Sequence, residues 1–293
     1  MKKISNIFKK AKANHQHPVL SFEIFPPQGK LSIDSALDTV AQLSDLCPDY
    51  VSVTYSAAGS GNSGATADVA ALLQDSFDTT ALAHLTCAKA TKESLNATID
   101  DLKAKGIANV LALRGDLAKG QEPNTEFPYA KDLISVLREH DFCVGAAAYP
   151  EGHPTEFDTA TSLDYLKQKQ DAGADFFVTQ LFYDNDVFYR FWEQAQAHGI
   201  EAPITCGVMP FMSKNQVQRM VFMCGVSLPS GIVKLLTKYE DDKESLLKAG
   251  IEYAAQQLVD LSEHGVDGLH LYTMNRPVIA HTTTELLRAS WAN

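Results

Sequence analysis

Eight short, nearly continuous apolar runs punctuate the chain: Val19–Phe25, Tyr50–Ser56, Ala81–Cys87, Asn109–Arg114, Cys143–Tyr149, Phe176–Tyr183, Ile204–Met209 and Gly268–Met274. None alternates strictly between apolar and polar, as a half-exposed strand would. They fit strands covered on both faces, as in a parallel sheet. The stretches between them carry apolar residues at helical spacing: Ala36, Val40, Leu43 and Leu46 in one, Leu95, Ile99 and Leu102 in another, Leu133, Val136 and Leu137 in a third. Gly106, Gly173, Gly199 and Gly265 fall where such helices should stop. Ile4, Ile7, Phe8 and Ala11 predict a short amphipathic helix at the start.

Strict alternation of strand and helix implies right-handed crossovers and a parallel sheet. Eight units at a spacing of about 30 residues predict a single-domain (β/α)8 TIM barrel over 18–293, preceded by a helix or tail over 1–17. The interval from Pro210 to Gly268 is about twice as long, and predicts extra helices around Ser213–Cys224, Ser230–Leu236 and Lys243–His264. An open doubly wound sheet is the competing arrangement.

Composition narrows the function. The 293 residues carry a formal charge of −11, so nucleic acid and anionic membranes are poor partners and small molecules the expected ones. An anionic ligand would need a local cluster of cations. The five cysteines are odd in number and lack CxxC spacing, which argues for reduced thiols in a cytoplasmic protein and against a zinc site. The lysine-rich first twelve residues are not followed by the apolar run of an export signal.

In a barrel of this kind, chemistry belongs at the C-terminal ends of the strands. The first run buries Glu23 among aromatics and prolines. A carboxylate there is desolvated unless paired, which suits a general acid or a structural ion pair. Later strand ends carry Thr54-Tyr55, His84 with Cys87, Arg114-Gly115-Asp116, Tyr149-Pro150-Glu151-Gly152-His153, Gln180, and Tyr272 through Arg276. A metal set could draw on Glu23, His84 and Asp116, but its context is thin, and none is expected. Gly59-Ser60-Gly61-Asn62-Ser63-Gly64 is a literal GxGxxG, yet it follows the second strand and no acid ends the next one. It reads as a loop over a cofactor or a plain turn.

The strings Ser21–Pro27, Val53–Tyr55, His84–Cys87, Leu113–Asp116, Ala148–Pro154, Asp171–Asp175, Thr179–Phe182 and Leu269–Arg276 resemble, in order and spacing, the signatures of methylenetetrahydrofolate reductases over roughly residues 18 to 289. The resemblance implies FAD at the strand ends, and ping-pong transfer of a hydride from NADH or NADPH to methylenetetrahydrofolate. It makes Glu23 the general acid, with Asp116 and Gln180 contacting the reacting rings. Gln216, Tyr272 and Arg276 become further folate contacts, and Thr54 a nicotinamide contact. Tyr55, Ala57, His84, Arg114, Gly115, Ala130, Tyr149, His153 and Lys169 become the FAD shell. Family members often form homo-oligomers. Ser162, Tyr165 and Gln168 depart from bacterial members near the FAD, and Met220 stands where an aromatic can gate the substrate. A flavin-independent reductase and a non-catalytic folate binder of the same fold are the alternatives. No counterpart of the eukaryotic regulatory domain is seen, so inhibition by S-adenosylmethionine is not expected.

Overall fold

A computed structural model describes residues 2–14, 17–26, 33–55, 63–117, 125–154 and 158–292. Eight parallel strands close into a barrel in sequence order: β1 (Val19–Ile24), β2 (Tyr50–Val53), β3 (Ala81–Thr86), β4 (Asn109–Leu113), β5 (Cys143–Ala148), β6 (Phe176–Thr179), β7 (Ile204–Val208) and β8 (Gly268–Tyr272). β8 closes on β1 with Ser21 opposite His270 and Glu23 opposite Tyr272. The helices are α1 (Ile4–Ala13), α2 (Ile33–Ser44), α3 (Ser63–Phe77), α4 (Lys92–Ala104), α5 (Ala130–Glu139), α6 (Thr159–Asp171), α7 (Asn185–Ala197), α8 (Lys214–Cys224), α9 (Ser230–Lys238), α10 (Lys243–Glu263) and α11 (Pro277–Trp291). The three extra helices expected before the last strand are α8, α9 and α10. No helix among the described residues is long and apolar enough to cross a membrane.

Every strand begins where the apolar pattern predicts, and every one ends one to four residues earlier. The reason is clearest at β6. Leu181, Phe182 and Tyr183 are as apolar as a strand, but they are buried in the loop beyond it, where Leu181 borders the barrel mouth and Phe182 stacks on Phe188 of α7 at 5.3 Å. Hydrophobicity reports burial and does not distinguish a strand from the loop packed beside it.

The barrel interior divides into an apolar base and a polar top. At the base Tyr50, Leu82, Leu111 and Phe176 pack with Ile4 and Phe8 of α1. Gly145 makes room there, because a Cβ would stand 2.6 Å from the Phe176 ring. Asn109 ties the plug in place: its side chain accepts from the Ile4 amide at 2.8 Å and donates to the Lys2 carbonyl at 3.1 Å. Above this layer the inward positions turn polar, with Ser21, Glu23, Ser52, His84 and His270. The five cysteines are free, and Cys87, Cys143 and Cys206 are buried.

Candidate active site

The C-terminal mouth of the barrel opens into a cleft of about 1000 Å³, at the top of the usual size range for small-molecule sites. Most of the strand-end residues singled out by sequence share its wall. Glu23, Thr54, Tyr55 and His84 come from β1 to β3, Arg114, Gly115 and Asp116 from the end of β4, Tyr149 and His153 from β5, and Gln180 and Tyr272 from β6 and β8.

Glu23 sits at the bottom of the cleft with its side chain 12% exposed. Its Oε2 lies 3.4 Å from His270 Nε2 and 3.6 Å from His84 Nε2. Each imidazole is backed by a serine: His270 Nδ1 is 2.8 Å from Ser21 Oγ, and His84 Nε2 is 2.5 Å from Ser52 Oγ. Burial pushes His84 down to about 4, with the positive potential of His270 acting the same way and the Glu23 carboxylate opposing both. The end of β8 fixes the backbone of Glu23. Thr273 Oγ1 donates to the Glu23 carbonyl at 2.6 Å. Asn275, in a left-handed conformation with φ 52°, pairs its amide with both backbone groups of Phe25 at 2.7 and 2.9 Å.

Gln180 is held from one side, its Oε1 accepting from the Leu181 amide at 2.9 Å. Its Nε2 has no protein acceptor among the described residues and faces the cleft as a donor. Tyr272 presents its ring to the cleft, while its hydroxyl donates to the Thr179 carbonyl at 2.9 Å. Gly207 permits this reach, since a Cβ there would stand 2.9 Å from the Tyr272 ring and 2.5 Å from the Thr179 carbonyl oxygen.

The opposite wall carries positive charge. Arg114 borders the cleft, and among the described residues it makes no ion pair with an acid. Lys169 of α6 lies behind the wall. Its Nζ donates to the Ala147 carbonyl at 2.8 Å and stands 5.5 Å from the centre of the Tyr149 ring. Burial lowers the Lys169 ammonium to about 8, helped by repulsion from Arg114. Gly115 turns the chain with φ 85°, and a Cβ there would press within 3.0 Å of Thr86. Asp116 is exposed at the rim. Among the described residues, no three His, Cys, Asp or Glu side chains are arranged to hold a metal ion.

Four expected contacts stand off the wall. Ala130 starts α5, and Lys169 lies behind Tyr149. Gln216 is buried, with its amide spent on the loop after β7: it accepts from the Met212 amide at 2.7 Å and donates to the Pro210 carbonyl at 3.3 Å. Arg276 is exposed at the N-cap of α11. Ala57 lies outside the described residues, as does most of the glycine-rich loop, although Gly64 opens α3 beside the cleft. Ser162 accepts from the His153 amide at 3.2 Å, and Gln168 from Lys131 at 2.7 Å. Sequence reasoning missed His270, Ser21 and Ser52 as members of the cluster around Glu23. The available signal was parity, since Ser21, Ser52 and His270 stand two residues before Glu23, Thr54 and Tyr272, each in phase with a residue already singled out on its own strand end.

A family profile described as methylenetetrahydrofolate reductase matches residues 8–288. The 5,10-methylenetetrahydrofolate reductase of Pectobacterium carotovorum is 35% identical over 269 residues, which cover 92% of this chain and 89% of that protein. Methylenetetrahydrofolate reductase 1 of Schizosaccharomyces pombe is 34% identical over 87% of this chain, and methylenetetrahydrofolate reductase (NADH) 1 of Arabidopsis thaliana 33% identical over 87%. The chain spans 43% and 46% of the length of those two relatives. Among solved structures, a Clostridium thermocellum protein that binds two copies of 5-methyl-5,6,7,8-tetrahydrofolic acid shares the fold, with a TM-score of 0.71 at 14% identity over 98% of this chain and 100% of that one.

Proposed function

The chain belongs to the methylenetetrahydrofolate reductase family, and from that premise we propose that its cleft transfers a hydride from NADH or NADPH to 5,10-methylenetetrahydrofolate, by way of FAD, to give 5-methyltetrahydrofolate. The observation that carries this reading is Glu23, a nearly buried carboxyl group flanked by two imidazoles at the bottom of a cleft it shares with Asp116 and Gln180.

The residues present fit a flavin dinucleotide. Arg114 is a cation on the cleft wall without an acid partner among the described residues, on a chain whose formal charge is −11, and it suits a diphosphate. Lys169 adds positive charge from behind the wall. The Gly115 turn lets backbone approach a flat ligand closely. Thr54, Tyr55, Ala57, His84, Arg114, Gly115, Asp116, Ala130, Tyr149, His153 and Lys169 would hold the group, with Lys169 and Ala130 acting from behind the wall. Bound there, FAD supplies a ring that takes up a hydride and gives it away.

The protein's own part is binding and proton placement. Glu23 hands a proton to a nitrogen of the folate's five-membered ring, so that the ring opens to an iminium carbon able to accept hydride. The free Nε2 of Gln180 donates a hydrogen bond to whichever ring occupies the cleft. Asp116 accepts from the pterin. Tyr272 offers its ring face, and Arg276 at the rim meets the folate carboxylates. Gln216 contributes by holding the loop at Pro210–Met212. The nicotinamide and the folate use one cleft in turn, which gives a ping-pong sequence. The product serves as a methyl donor for methionine synthesis, and the protein works in the cytoplasm as a homo-oligomer.

The test is an absorption spectrum of the purified protein for flavin bands, then anaerobic bleaching by NADH and recovery of colour with methylenetetrahydrofolate. We expect Glu23→Gln to bleach normally and to fail in recovery. A colourless protein with full reductase activity would favour a flavin-independent enzyme of the same fold. Folate reduction by Glu23→Gln at the wild-type rate would remove Glu23 as the acid.

A further inference from the structure

The buried cluster beneath the cleft has a directionality that its hydroxyl groups dictate. Ser21 Oγ lies 3.1 Å from the Leu269 carbonyl and 2.8 Å from His270 Nδ1. A carbonyl can only accept, and a hydroxyl has one hydrogen to give. With the Ser21 hydrogen on the Leu269 carbonyl, Ser21 Oγ accepts from His270. That places a hydrogen on Nδ1 and leaves Nε2 facing Glu23 Oε2 at 3.4 Å. A bare nitrogen opposite a bare carboxylate would set lone pair against lone pair in a site where His270 has no exposure at all. One proton between Nε2 and Oε2 relieves this, whichever atom carries it.

We propose that the acid of this site is the Glu23–His270 pair, which holds one shared proton, with Ser21 fixing the imidazole so that Nε2 alone faces the carboxyl group. The inference rests on the folate-reducing reading and deepens it. Delivery balances simply. The Glu23 O–H bond breaks as an N–H bond forms on the folate, and the pair is left as neutral imidazole and carboxylate. If Nε2 holds the proton at rest, its N–H bond breaks as the Glu23 O–H bond forms, and delivery follows as before. Solvent at the mouth of the cleft restores the proton.

Among the described residues, Ser21 and Glu23 of β1 and His84 of β3 face His270, the Tyr272 ring stands edge-on at 5.1 Å on the same strand, and the buried Tyr50 hydroxyl of β2 lies beside Ser21. His84 cannot substitute for His270: its Nε2 is engaged by Ser52 at 2.5 Å and lies farther from Oε2. His270 is thus a positioning residue, acting on the folate through Glu23.

The tautomer can be read in the wild-type protein by nitrogen-15 NMR of histidine-labelled samples, with His270→Asn used for assignment. We expect Nδ1 to be protonated and the Nε2 resonance to lie between those of a bare and a protonated nitrogen. Glu23→Gln should move it to that of a neutral nitrogen accepting a hydrogen bond, because its amide donates to Nε2. A bare Nδ1 with a protonated Nε2 would overturn the proposal. In anaerobic stopped-flow, His270→Asn retains a donor to Ser21 but offers nothing to Glu23. Bleaching by NADH should then remain within about twofold of wild type, while recovery with folate slows by roughly tenfold or more and its pH profile moves. Equal loss in both halves would mark a merely structural role and refute the pairing. Wild-type protein that shows the expected tautomer but no folate reduction would fail the functional reading and leave the proton assignment standing.

Discussion

One substitution at two glycines should act with opposite sign. Gly250 lies buried in α10 against the loop after β7, and a Cβ there would stand 1.8 Å from the Phe211 carbonyl oxygen. Ordinary carbon–oxygen contact is more than 3 Å, so helix and loop would have to part by more than an ångström. The loop cannot yield cheaply, because Gln216 bonds Met212 on one side of Phe211 and Pro210 on the other. Alanine gains about 1 kcal/mol of helix propensity over glycine. Overpacking costs about 1–3 kcal/mol, and a clash with backbone sits at or above the upper end. The net for Gly250→Ala is a loss of about 2 kcal/mol, or a Tm about 4–8 °C lower. Gly231, exposed in α9, has nothing within 4 Å of its Cβ position. Gly231→Ala keeps the propensity term alone and should stabilise by about 0.5–1 kcal/mol. Thermal unfolding followed by circular dichroism decides it. A Tm for Gly250→Ala at or above wild type would refute the close-approach argument.

Three further outcomes follow from the site. His84, lowered to about 4 by burial, refuses a proton that the unfolded chain accepts below about pH 6.5. Its contribution is complete above that pH and is lost as pH falls towards 4, by up to about 3 kcal/mol; denaturant titrations at pH 7 and pH 5 should show this slope flattened in His84→Gln. Lys169, lowered to about 8, costs stability while the fold must hold it charged. Lys169→Met should raise the Tm at pH 7 by an amount that shrinks above pH 8, and should weaken FAD binding in a fluorescence titration. Both carboxylate oxygens of Glu151 accept from the Ser227 amide, at 3.0 and 2.9 Å, and Ser227 Oγ donates to one of them. This clamp ties the loop after β5 to the end of α8, so Glu151→Ala should speed amide exchange at Ser227 and raise KM for folate more than it lowers kcat; unchanged exchange would remove the clamp.

The fold was legible because each strand is buried on both faces and each helix on one, so burial wrote itself into the residue pattern. Strand ends were not, because Leu181–Tyr183 is apolar for a different reason from Phe176–Thr179. Glu23, Asp116 and Gln180 could be found as polar residues where a barrel keeps its chemistry, and they meet in one cleft. The bonds of Gln216 to Met212 and Pro210 were not legible, since a glutamine that holds a loop and one that faces a ligand look identical in a string of letters. Thr273 and Asn275 bond to Glu23 and Phe25 across about 250 positions of chain, a partnership that only closure of the barrel creates.

The plug formed by α1 has a bearing on traffic. With Ile4 and Phe8 driven into the underside of the barrel, molecules and protons that reach Glu23 must arrive from above and leave by the same door. A vessel stoppered beneath makes its two visitors wait for one another. An excess of either should slow the other by blocking the doorway, without any second binding place to explain it.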